Sequence, residues 1–148
     1  MELGSKILKL SHEQVSHYVN MKDAVQKQTA YIEAMDVARL TSGSSEVRGL
    51  MRKIRDLEVS LTPLRHSWGS LGSDRPVVEK RAMDEVVDKI RELIGEIQEV
   101  KDRNASMIKQ SMVDVRKQLT DLNSQSKAVR AYFQRRPGQA ARFVDKAR

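Results

Sequence analysis

The sequence predicts an all-α protein: an elongated antiparallel three-helix bundle of coiled-coil type, with a long third helix and a flexible basic C-terminal tail. Three observations lead there. Apolar residues recur at steps of three and four through three separate stretches, with no competing alternation of period two. The composition, 39% hydrophobic and 32% charged with 4% aromatics, suits helices that bury one stripe rather than a thick globule or a β protein. Gly, Ser and Pro gather at residues 41–45 and 67–76, which leaves room for three helices in one domain, 1–134.

The first helix is predicted at about 2–39. Tyr18, Met21, Val25, Ile32 and Met35 carry its seam, with Gln28 at the one polar step. TSGSS at 41–45 reads as the turn that ends it, and Ser44 or Ser45, followed by Glu46, reads as the cap of the next helix. The second helix, about 45–66, has the most regular seam: Val47, Leu50, Ile54, Leu57, Leu61 and Leu64. Pro63 removes a backbone donor near its end, so a boundary is expected between Leu61 and His66. SWGSLGSDRP, 67–76, is the expected linker, with Ser73 or Asp74 before Pro76 as the start signal of the third helix.

The third helix is predicted at about 76–134, close to sixty residues and therefore roughly 85–90 Å long at about 1.5 Å per residue. Its seam runs Met83, Val86, Ile90, Leu93, Ile97, Val100 and then Asn104. It resumes at Ile108, Met112, Val115, Leu119, Leu122, Ser126, Val129 and Phe133. Around Asn104 the steps become four and four, a stutter that relaxes a supercoil and gives Asn104 the reading of a register residue or hinge, with Met112 replacing Ser111 in the seam. Neither shorter helix reaches the end of the third, so apolar surface between Val115 and Phe133 is expected to stay uncovered. Such a stripe takes either another protein or a second copy of the chain.

The chemistry of most enzymes has no foothold here, and no cofactor, metal or small-molecule substrate is expected. There is no cysteine. His12 and His17, five residues apart, point about 140° from one another on a helix and do not form the i, i+4 pair that grips a metal. Gly69 and Gly72 are not followed by the Lys-Ser/Thr of a phosphate loop. No apolar run approaches the roughly 20 residues of a membrane span, and MELGSKILKLSHEQ lacks the apolar core of a secretory signal, so a cytoplasmic protein is expected. Of the net charge of +7, +5 falls in the last nineteen residues, where six Lys/Arg face one acid. This basic tail, 135–148, has no reading helix or stacking platform beside it, which argues against nucleic acid as the partner.

Four stretches together resemble the flagellar export chaperones of the FlgN family. EQVSHY followed by KDAVQKQTAYIEAMDVARL, 13–40, is similar to the family's first helix and its Asp-x-x-x-Leu element, here Asp36 to Leu40. MRKIRDLEVSLTPLR, 51–65, resembles the helix that carries Leu-Glu, here Leu57 and Glu58. ELIGEIQEVKDRNASMIKQSMVDVRKQLTDL, 92–122, is similar to the third helix with its Asn, here Asn104, and AYF with ARFVDKAR resembles the family ending, here Phe143, Asp145 and Lys146.

The resemblance implies binding of hook-associated proteins, the hook-filament junction proteins, through a helix from their C-terminal region. It also implies delivery to the export gate of the flagellar type III apparatus. Val115, Leu119, Leu122, Val129 and Phe133 are then the anchors, Met107, Ile108 and Met112 the adaptable packing, and Tyr132 the residue that docks on the export-gate protein. A structural coiled coil, self-associating through the same stripe into a homo-oligomer, and a basic nucleic-acid-binding helical protein stand as the alternatives.

Overall fold

The computed structural model describes residues 2–134, and the basic tail expected at 135–148 lies outside them. The described chain is helical, with α1 at Glu2–Glu33, α2 at Val37–Ser70, a 3-10 turn at Gly72–Asp74 and α3 at Val77–Gln134. Residues expected to form one domain, 1–134, divide between two compact units, the first ending at Met107 and the second starting at Ile108.

Within the first unit α1 and α2 form an antiparallel hairpin, and its register can be read from side chains that meet. Gln14 bonds Glu58, Gln28 bonds Ser44, and Gly4 lies against Trp68; the residue numbers of each pair add to 72. Against α3 the register is parallel: Lys22 pairs with Glu96 at 2.6 Å, and Thr29 bonds Asn104. The heptad seams therefore close around two apolar clusters. One joins Met21, Val25, Val47, Leu50, Ile54, Ile97 and Val100, and the other joins Ile7, Leu61 and Trp68. Between them in both α1 and α2 lies a polar layer, where the buried Gln14 amide donates to the Glu58 carboxylate at 2.9 Å and to the Ile54 carbonyl at 3.4 Å, and Glu58 in turn pairs with Arg65. At the outer end a Cβ on Gly4 would stand 3.1 Å from the Trp68 ring and would displace the Glu79 carboxylate, so all three helices approach closely at Gly4.

The corner between α1 and α2 is not where the Ser/Gly cluster predicts it. Helix α1 ends at Glu33, six residues before the expected 39, in a Schellman turn: the Asp36 N–H donates to the Tyr31 carbonyl at 2.9 Å and the Met35 N–H to the Ile32 carbonyl at 3.0 Å. Met35, expected in the seam, occupies the left-handed position at φ 54° and is 69% exposed. Asp36 then caps α2, accepting from the Arg39 N–H at 3.1 Å, in place of the expected Ser44 or Ser45.

TSGSS is consequently helical. Thr41, Ser42 and Ser44 donate back to the carbonyls four residues earlier, at 2.8, 3.2 and 3.0 Å, so their hydroxyls do not compete with the helix. Gly43 is buried because it faces α1, with Gln28 and Tyr31 within 3.5 and 3.7 Å of where its Cβ would stand.

Helix α2 also passes through Pro63 to Ser70, beyond the boundary expected at 61–66. The carbonyl that loses its donor belongs to Val59, and both Val59 and Pro63 are on the exposed side, where solvent is available to a carbonyl without an internal donor. The linker shrinks to the 3-10 turn and its flanks. The first turn of α3 closes from the Lys80 N–H onto the Pro76 carbonyl at 3.0 Å, and neither Ser73 nor Asp74 makes a capping bond to it.

A non-glycine residue in the left-handed region costs about 1–2 kcal/mol, and Met35 buries little to offset it. Met35→Gly should therefore raise unfolding free energy by about 1 kcal/mol in urea denaturation, and no gain would contradict the assignment of the corner.

Candidate functional site

The residues from Asn104 to Phe133 fall into two groups by burial. Asn104 is 6% exposed and tied into the first unit: its Nδ2 donates to the Val25 carbonyl at 3.0 Å, and its Oδ1 accepts from the Thr29 hydroxyl. The Thr29 proton has an alternative acceptor in the same Val25 carbonyl at 3.4 Å, but one proton serves one strong bond, and the shorter contact is to Asn104. Asn104 thus locks the axial position of α3 against α1. The α1 strip available for that pairing ends at Glu33, one turn beyond Thr29.

Beyond Asn104 the half-buried positions are Met107 and Ser111, which continue the steps of three and four. Ile108 is exposed and Met112 is 53% exposed, so Met112 does not replace Ser111, and the expected stutter is not at Asn104. The change of register to Val115, Leu119 and Leu122 falls after Ser111.

From Met112 onward every described residue is exposed. Val115, Leu119, Leu122, Val129 and Phe133 lie along one face at steps that return to it every seven residues, and Leu119 and Leu122 are each 60% exposed. Tyr132 stands beside the stripe and meets Phe133 edge to face, the ring centres 5.8 Å apart. The expected anchors are thus brought onto one accessible face, whereas Met107 is half-buried, ends the first unit and shares the helix position of Asp114 and Asp121, off that face.

Sequence reasoning missed how charge divides at the unit boundary. Residues 1–107 carry seventeen Lys/Arg and seventeen Asp/Glu, and the whole +7 lies from Ile108 onward. A count made at the end of the first unit, instead of at the tail, would have found it.

Titratable chemistry is sparse. Burial, and then the Glu58 charge, pushes the Tyr18 hydroxyl pKa up, and the bond from Lys22 pulls the Glu96 carboxyl down, both within the first unit and far in sequence from the stripe. Among the described residues no group of three or more His, Cys, Asp or Glu side chains is placed to hold a metal ion, and no helix is long and apolar enough to cross a membrane.

A three-helix unit joined through one helix to an exposed apolar stripe is an arrangement suited to holding another polypeptide. The chain belongs to the FlgN family: the family model, FlgN protein, matches residues 1–140. It is a flagellar export chaperone, of a family of chaperones and not of enzymes. No curated protein and no solved structure matches it.

Asn104→Asp replaces the donor to the Val25 carbonyl with a carboxylate oxygen and should cost about 2–4 kcal/mol of stability at neutral pH. Asn104→Leu leaves no orphan, because the Thr29 hydroxyl turns back to Val25, and should stay within about 1 kcal/mol of the parent. Urea denaturation compares the two, and equal losses would refute the hydrogen-bonded lock.

Proposed function

We propose that the exposed stripe of α3 receives the C-terminal helical region of hook-associated proteins in the cytoplasm, keeps them from assembling prematurely, and presents them to the export gate. The observation that carries this reading is the exposure of Val115, Leu119, Leu122, Val129 and Phe133 along one helical face. An amphipathic helix laid along that face removes it from water, and two leucines at its centre supply roughly 1.5–3 kcal/mol each when fully buried. Met112, beside Ile108, adapts the near end of the site to different clients, since its unbranched and flexible side chain fills irregular gaps. Tyr132, beside the last anchor, is the contact for the export-gate protein.

The family supports a flagellar client in general, and the stripe supports a helix as the form in which that client is held. Pairing of two copies through the same stripe is the competing reading.

Leu119→Asp/Leu122→Asp should weaken binding of a hook-associated C-terminal peptide by more than about a hundredfold. Helicity and denaturation midpoint should barely move, because both side chains are exposed in the free chain. Ile97→Ala, in the core, should instead cost about 2–4 kcal/mol of stability. Titration calorimetry and circular dichroism on the same preparations decide the matter. A stable dimer that ignores the peptide, or unfolding of the double variant, would contradict the proposal.

A further inference from the structure

The stripe has two flanks, and they differ in charge. On one side, immediately after Ile108, Val115, Leu122 and Val129, stand Lys109, Arg116, Asn123 and Arg130. On the other, immediately before Leu119, Ser126 and Phe133, stand Gln118, Gln125 and Tyr132. The acids of this segment, Asp114 and Asp121, fall about 130° from the centre of the stripe, on the far side of the helix. Lys109, Arg116 and Arg130 are all exposed, and none has an ion-pair partner among the described residues, although Arg39 and Arg65 in the first unit do. Residues 108–134 hold five Lys/Arg and two Asp, whereas the first unit is neutral.

Resting on the reading of the stripe as a helix-capture site, we propose that its partner is an acidic amphipathic helix, with carboxylates at seven-residue spacing along the one flank that faces Lys109, Arg116 and Arg130. Opposite-sign flanks fix which way a helix lies in a seam and exclude helices of the wrong sign. A second copy of the chain lacks the required chemistry. Paired antiparallel it sets this cationic flank against itself, and paired parallel it offers only Gln118, Gln125 and Tyr132. A lipid surface is the poorer fit, because the apolar face is a narrow seam bordered by Gln118, Asn123 and Gln125 and interrupted by Ser126, whereas helices that lie in bilayers carry a broad apolar face.

The test uses the full chain and two synthetic helices with the same Leu/Ile seam, one carrying Glu and the other Lys at the flanking positions, with affinities measured by fluorescence anisotropy at low and moderate salt. The Glu helix should bind at least about tenfold more tightly than the Lys helix, with the ratio shrinking as salt rises. Arg116→Glu/Arg130→Glu, both substitutions being at exposed positions, should reverse the preference. Equal affinity for the two helices, or a preference unchanged in the double variant, overturns the charge inference while leaving helix capture intact. Failure to bind either helix overturns both. Binding to vesicles of anionic lipid that is lost in the double variant, with no discrimination between peptides, would reassign the flank to a membrane.

Discussion

The bond from the Asn104 amide to the Val25 carbonyl fixes where α3 sits along α1, and most of the first unit depends on that position. With Asn104 level with Val25 and Thr29, Glu96 meets Lys22 and Glu79 reaches Gly4. A purely apolar seam tolerates slips of a whole heptad at modest cost. A buried amide with a single set of partners does not, since any other register leaves it unsatisfied in a dry environment. The Gln14–Glu58 layer does the same for α1 against α2, so both of the pairings that α1 makes combine polar contacts that specify register with apolar contacts that supply most of the stability.

This division of labour bears on function because it makes the first unit self-sufficient. Its apolar seams close on two internal clusters, its formal charges cancel, and α1 is spent within a turn of Asn104. Among the described residues, every position of α3 from Met112 onward is exposed. A lone helix in water is marginal, and the exposed Leu119 and Leu122 bury little in the free chain, which is what the proposed capture of a client helix would account for. The same segment concentrates positive charge, with five Lys/Arg against two Asp in residues 108–134, which on the proposed reading would add partner selection to apolar affinity.

Much of this was legible in the periodicity. The α2 seam and the α3 seam as far as Asn104 follow steps of three and four, and these positions are buried or half-buried in the structure. Two features were not legible, each for a physical reason. The α1–α2 corner carries no Gly or Pro: Met35 accepts a left-handed conformation that composition rules assign to Gly, while TSGSS, rich in turn residues, is helical because its hydroxyls bond back along the helix and Gly43 admits α1. The first half of the α1 seam is faint in the sequence because Gly4, Ser11 and Gln14 are buried there, and polar or small residues at core positions leave little hydrophobic signal. Ser111 follows the same rule: a small polar residue keeps the seam position that apolarity alone assigns to Met112.

Residue-resolved hydrogen exchange along α3, with and without a hook-associated C-terminal peptide, tests most directly whether one continuous helix serves two purposes. In the free chain, amides from Val86 to Asn104 should exchange only with global unfolding, and those from Met112 to Phe133 should exchange faster by orders of magnitude. The peptide should protect the second group and leave the first unchanged. Uniform protection along the free helix, or peptide-induced protection confined to residues before Asn104, would contradict the account.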